Sequence, residues 1–331
     1  MERYVYSIGL DGKNKKKLSP VKGTNNAAFS EGYKYFINTW SDANTPYAFT
    51  LYAADGKQIK VLEDNAELRK KLGDYRISAR KFYSFKTSEG VQLNGWMIKP
   101  SNFDSTAKYP VYMFVYGGPG SQTVNNSWDS RNGLWYQLLA QKGYIVVSVD
   151  NRGTGARGDA FKKCTYMNMG KLETLDQVEA AKYLAKLPYV DAKRIGIQGW
   201  SYGGYMTSLC MTKGAEVFKT GIAVAPVTNW KFYDSIYTER YLQTPQENPK
   251  GYEDNSPINF AEALRGKFLL VHGTADDNVH FQNSMEFVTK LVKAGKQFNS
   301  FFYPNKNHSI YGGNTRLHLY TMMTDFILQN L

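Results

Sequence analysis

Cysteine is nearly absent from this 331-residue chain. With Cys164 and Cys210 alone, neither a disulfide framework nor a four-ligand zinc site is available. Cys210, inside an expected helix, reads as a small buried apolar residue. Histidine is scarce as well, four in all, which narrows the choice for any acid–base site. Long apolar runs are missing: no stretch nears the ~20 residues of a membrane span. MERYVYSIGLDGKNKKK has no apolar segment ahead of a small-residue cleavage site, so no secretory signal is read in it. An address upstream of a fragment stays open, as does a periplasmic or cell-surface location for a longer bacterial parent. Nor is charge gathered. The net +12 divides into +3 on residues 1–75 and +9 on residues 76–331. The one dense run, Lys13 to Lys17 after Asp11-Gly12, reads as a solvated hairpin tip, so no nucleic-acid partner is expected.

What is present is a folded chain of ordinary make-up, 42% hydrophobic and 21% charged, which excludes extended disorder. At roughly 150 residues per domain its length suggests two units. Residues 1–75 read as short strands between polar turns: Tyr4 to Ile8, Tyr33 to Thr39, Pro46 to Ala53 and Gln58 to Leu62, followed by a helical stretch from Ala66 to Leu72. Twice the order is strand, Asp-Gly-Lys, strand. Such aromatic-rich hairpins suggest the end of a β-propeller, though two cannot close one. From residue 76 a hairpin at Lys81–Lys86 and Val91–Ile98 gives way to alternating strands and helices. Near-continuous Val/Ile runs (111–116, 144–149, 194–198, 220–225, 267–272, 299–303) separated by helices (134–141, 175–187, 202–212, 284–294, 316–328) imply a mostly parallel sheet covered on both faces. The fold class expected is a doubly wound α/β-hydrolase over residues 76–331, with propeller-like hairpins over 1–75.

Chemistry enters at Gly199-Trp200-Ser201-Tyr202-Gly203, a G-x-S-x-G directly after an expected strand and before an expected helix. That is the context of a nucleophile elbow; the plainer reading, a serine that caps a helix, needs no such flanking. A serine hydroxyl needs a base, and the base a carboxylate to hold its tautomer. In this fold class both follow the serine, acid first. His272 precedes any candidate acid, His280 follows those acids too closely, and His318 lies within a helix, which leaves His308. The acid should follow the strand ending at His272-Gly273, so Asp276 and Asp277 are both candidates, one of them serving only the turn. Oxyanion donors should be the Tyr202 N–H and a group from the loop Tyr116-Gly117-Gly118-Pro119-Gly120. That loop has no phosphate-binding lysine, and Asn151-Arg152-Gly153-Thr154-Gly155 lacks the full dinucleotide pattern. No cofactor and no metal are expected. Aromatics at 230, 232, 233, 237 and 241 have a spacing that fits an ordinary core helix equally well.

Taken together, GWSYGGYMTS, HGTADDNVHFQ, YGGPGSQ, NRGTGARGD and APVTNWKFYDSIYTERY resemble the prolyl oligopeptidase family of serine peptidases, in its dipeptidyl peptidase IV branch, continuously over residues ~76–331. The resemblance implies a triad of Ser201, Asp276 and His308, with Asp276 filling the acid position of H-G-x-x-D-x-x-V. It implies a Tyr116 phenol beside the Tyr202 N–H in the oxyanion hole. Tyr202, Val227, Trp230, Tyr233, Tyr237 and Val279 would line a compact pocket for proline, and Arg240 and Asn278 would hold the preceding carbonyl. The implied reaction releases N-terminal X-Pro or X-Ala dipeptides through an acyl-enzyme, with a peptide as partner, a homodimer as candidate assembly and no membrane segment in the chain. The family's paired propeller glutamates, which read the free amine, have no counterpart in residues 1–75. Other hydrolases of the clan (acylaminoacyl or tripeptidyl peptidases) are the second reading. A catalytically silent association domain is a third, opposed by the presence of all three triad residues.

Overall fold

The computed structural model describes residues 1–331. The chain forms two compact units. One comprises Met1–Lys81, Ile98–Asn102 and Val124–Lys142; the other comprises Phe82–Met97, Phe103–Thr123 and Gly143–Leu331.

In the first unit, β1 (Tyr6–Ser7) pairs with β2 (Lys16–Lys17), and β3 (Thr24–Phe29), β4 (Tyr35–Ser41), β5 (Ala48–Ala53) and β6 (Gln58–Glu63) form an antiparallel meander in that order. Both Asp-Gly-Lys turns are built alike: Asp11 and Asp55 each accept the N–H two residues on, at 2.9 Å, and Gly12 and Gly56 take positive φ. Phe36 and Tyr52 stack beside Leu18 as the meander's small core. The strand β3, with the sequence TNNAAF, is not among the strands expected from the sequence. Its Asn25 is buried but satisfied, donating to the carbonyls of Arg3 and Val21 and accepting from Asn38. The helix α1 (Ala66–Gly73) follows. The later segment Val124–Lys142, with α2 (Gly133–Gln141), joins this unit through Asn126, whose Oδ1 accepts from the Ala43 N–H and whose Nδ2 donates to Glu2.

The second unit is built on an eight-stranded sheet in the order β14-β13-β12-β11-β9-β10-β8-β7. Its strands are β7 (Arg80–Lys86), β8 (Gln92–Ile98), β9 (Tyr109–Phe114), β10 (Ile145–Asp150), β11 (Val190–Trp200), β12 (Thr220–Val224), β13 (Lys267–Gly273) and β14 (Asn299–Tyr303). From β9 to β14 all pairings are parallel. The helices are α3 (Asp159–Lys163), α4 (Lys171–Ala185), α5 (Tyr202–Lys213), α6 (Ser235–Leu242), α7 (Pro249–Glu253), α8 (Gln282–Lys293) and α9 (Thr315–Asn330). Met113, Val147, Ile197 and Leu270 are fully or almost fully buried on their strands. Burial on both faces is why these segments read as unbroken apolar runs rather than alternating ones. Cys210 is buried in α5, while Cys164 is exposed and both are free. No helix is long and apolar enough to cross a membrane.

Candidate active site

Tyr116, Ser201, Asp276 and His308 all lie just past the carboxyl ends of parallel strands, β9, β11, β13 and β14 respectively. That edge is where α/β sheets place their reactive groups. Ser201 sits between β11 and α5 at φ 61° and ψ −119°, a strained conformation for a serine. The sharp turn brings backbones so close that a Cβ on Gly199 would lie 2.3 Å from the Gly203 carbonyl. One on Gly203 would lie 2.2 Å from the Val115 oxygen. The glycine spacing of the motif is therefore a steric requirement of the turn. The Ser201 N–H donates to the Val224 carbonyl at 2.8 Å, which ties the elbow to the neighbouring strand.

Of the two aspartates, Asp276 is buried and Asp277 exposed. Asp276 Oδ2 accepts from His308 Nδ1 at 2.7 Å and from His272 Nε2 at 3.0 Å. Its Oδ1 accepts from the N–H groups of Asn278 and Val279 at 3.0 and 2.9 Å. Burial alone would raise this carboxyl, but the hydrogen bonds from His272 and His308 and the charge of His308 outweigh it and hold Asp276 well below the usual carboxylate range. With its proton on Nδ1, His308 presents a free lone pair on Nε2. His308 is held on its backbone too, since Trp200, the residue before the serine, donates its indole N–H to the His308 carbonyl at 3.0 Å. The Ser201 hydroxyl makes no hydrogen bond to His308 in this structure; contacts of this kind tighten when substrate is bound.

His272, set aside as a base in the sequence, is a second imidazole in the site's support. It is fully buried, with Nε2 facing both Asp276 Oδ2 and the Val279 carbonyl and Nδ1 facing the Ser284 hydroxyl at 2.7 Å. Two acceptors at Nε2 put the proton there, so Nδ1 accepts from Ser284. The i, i+4 spacing of His272 and Asp276 was the available signal.

The aromatic segment is not one core helix. Trp230–Phe232 form a single 3₁₀ turn, the chain extends at Tyr233 and Asp234, and Asp234 caps α6 by accepting the Tyr237 N–H at 2.8 Å. Trp230 is buried with Val227 and Val279, while Tyr233 and Tyr237 are half-buried. Ring centroids of Tyr202 and Trp230 lie 5.5 Å apart, of Trp230 and Tyr237 5.9 Å, and of Tyr116 and Tyr202 6.1 Å. The Tyr233 hydroxyl donates to Asn278 Oδ1 at 2.7 Å, which turns the Asn278 NH₂ outward as a donor. Arg240 is exposed on α6 and makes no hydrogen bond or ion pair.

Glu173 of α4 is a feature that the sequence reading missed. It is fully buried, and the Tyr202 hydroxyl donates to its Oε1 at 2.9 Å. Burial pushes its carboxyl up to about 7, against the opposing hydrogen bonds from the Gly170 and Glu173 backbone and from Tyr202. The native protein therefore keeps a proton that the unfolded chain, at its ordinary value of 4.5, has released, and stability falls as pH rises through the window from 4.5 to about 7. At 1.36 kcal/mol per unit this loss is roughly 3 kcal/mol. The substitution Glu173→Gln removes it. Calorimetric Tm measured from pH 5 to 8 should show the variant gaining on the wild type as pH rises; parallel curves would mean that Glu173 does not titrate there.

Comparison with known proteins converges. The signature of the prolyl oligopeptidase family matches residues 132–331. The probable dipeptidyl-aminopeptidase B of Paracoccidioides brasiliensis (strain Pb18) is 40% identical over 335 residues, covering 99% of this chain and 36% of that protein. Its counterpart in Emericella nidulans is 39% identical over 341 residues, again covering 36% of that protein. Among solved structures, Porphyromonas gingivalis dipeptidyl peptidase 4 superposes with a TM-score of 0.96 at 50% identity, covering 99% of this chain and 46% of that one. A putative dipeptidyl aminopeptidase IV from Bacteroides ovatus gives 0.89 at 33% identity. The chain spans about a third of the length of these curated relatives and just under half of the solved chains.

Proposed function

The chain belongs to the prolyl oligopeptidase family, and on that footing we propose that it is a serine peptidase of the dipeptidyl peptidase IV branch that releases X-Pro or X-Ala dipeptides from peptide N-termini. The observation that carries the reading is the hydrogen-bond set on Asp276, which fixes the tautomer of His308, a residue tied through its carbonyl to Trp200, the neighbour of a serine on a strained elbow.

In this reading His308 Nε2 takes the proton of Ser201 as Oγ bonds to the carbonyl carbon. The oxyanion that forms accepts from the Tyr116 hydroxyl and the Tyr202 N–H, the latter at the first residue of α5 where no intrahelical acceptor competes for it. The His308 imidazolium, paired with Asp276, then protonates the leaving amine and an acyl-enzyme remains. Water enters, gives a proton to His308 and hydrolyses the ester by the same steps in reverse. Tyr202, Val227, Trp230, Tyr233, Tyr237 and Val279 would offer apolar and ring surface to a pyrrolidine or a methyl group. The outward NH₂ of Asn278, with Arg240, holds the carbonyl before the scissile residue.

A fluorophosphonate probe is expected to label the folded chain at Ser201 alone, and peptide mass spectrometry locates the adduct. Labelling at another residue, or none in a sample shown to be folded, overturns the reading.

A further inference from the structure

Three polar side chains on one face of α4, Glu173, Asp176 and Gln177, are completely buried. Glu173 Oε2 and Gln177 Oε1 have no hydrogen-bond partner at all. A leucine or methionine of similar volume would fill this space without leaving a lone oxygen in the core, where an unpaired acceptor is destabilising. What the polar groups add is direction. At position 173 the carboxyl grips the Tyr202 hydroxyl at 2.9 Å. One turn on, Gln177 Nε2 donates to Asn151 Oδ1 at 2.9 Å, and Asn151 Nδ2 donates to the Gly117 carbonyl at 3.0 Å. Gly117 follows Tyr116 directly, at φ 77°, and the added Cβ that would strain it would also meet Asn151 Oδ1 at 2.7 Å. Between these two residues, Asp176 pairs with Arg152 at 2.7 Å and accepts its backbone N–H, which fixes the segment that carries Asn151. Both chains of contacts thus start on one helix face, one ending on Tyr202 and the other on Gly117, the residue that follows Tyr116.

We propose that the buried polar face of α4 is the positioning element of the oxyanion hole, with Glu173 setting Tyr202 and Gln177, through Asn151, setting the turn that carries Tyr116. The inference rests on the acyl-transfer reading given above. Neither residue touches substrate. Each acts through another side chain, and because oxyanion donors must sit within a few tenths of an ångström of their mark, a small displacement costs rate while leaving substrate binding intact.

Saturation kinetics of fluorophosphonate labelling on the full chain separate the limiting rate from the binding constant. Glu173→Met and Gln177→Met, which remove the acceptor for Tyr202 and the donor to Asn151, are each expected to lower the limiting rate about tenfold and to leave the binding constant unchanged. The decisive test is pairing. The rate of the Glu173→Met/Tyr202→Phe double variant should equal that of Tyr202→Phe alone, and Gln177→Met/Tyr116→Phe should equal Tyr116→Phe alone, since each positioning residue has nothing left to position. Unchanged limiting rates in the single variants, or losses that multiply in the doubles, overturn the proposal. Should Glu173→Met fail to fold, Tyr202→Phe, which removes the same hydrogen bond and keeps the ring, must by itself reproduce the loss of limiting rate, or the proposal falls. Failure of the wild-type chain to label at Ser201 would instead strike the acyl-transfer reading.

Discussion

Asp276→Asn is expected to lower kcat by about 10⁴-fold, the scale on which a triad fails when its histidine adopts the wrong tautomer. The geometry makes the substitution worse than a loss of charge. All four acceptor directions of the carboxylate are taken, two by imidazole N–H groups and two by backbone N–H groups. An asparagine must aim its NH₂ at one of these pairs. Aimed at the imidazoles, it opposes His272 and drives the His308 proton from Nδ1 to Nε2, where the lone pair is needed. Aimed at the backbone, it opposes Asn278 and Val279. Either way a buried donor goes unmet, and a further loss of about 1–3 kcal/mol in stability should accompany the loss of rate. Asp277→Asn, at an exposed position, should stay within about a factor of two of wild type. Steady-state kinetics on an X-Pro anilide and calorimetry decide between them; equal losses from the two variants would show that the wrong carboxylate is assigned.

Tyr116→Phe should cut kcat by about 10²–10³-fold with KM nearly unchanged, the cost of removing one oxyanion donor. This probe is clean because the hydroxyl has no partner within the chain, so its removal strands no buried group. The ring that packs 6.1 Å from Tyr202 stays in place. Stability should therefore match wild type. A rise in KM at constant kcat would move Tyr116 from the oxyanion hole into the binding pocket.

How far this site could be read before folding depended on how local its causes are. The elbow was legible because strand, glycines and helix are contiguous around Ser201, and the sheet because its strands are apolar on both faces. Other features have distant causes. β3 is held by Asn25, whose partners at Arg3, Val21 and Asn38 make a polar strand viable only after the chain has folded back. Choosing Asp276 over its exposed neighbour turned on a family pattern, since two adjacent aspartates in a loop have no periodicity that tells which one faces inward. Glu173, Asp176 and Gln177 are polar residue types that ordinarily face solvent, so nothing local marks them as buried. Their partners Tyr202, Arg152 and Asn151 are 24 to 29 residues away, beyond the reach of any window.

The sheet order has one more consequence. The strand that leads to Ser201, β11, lies in the interior of the sheet, whereas β14, which leads into the His308 loop, is one of the two edge strands and has exposed side chains along most of its length. Edge elements open locally at lower free energy than the central strands they border. The proposed base thus rides on one of the less permanent strands of the sheet and the serine on one of the most permanent. Under mild heat or denaturant the protein should become silent while still folded, and recover as soon as that rim re-forms.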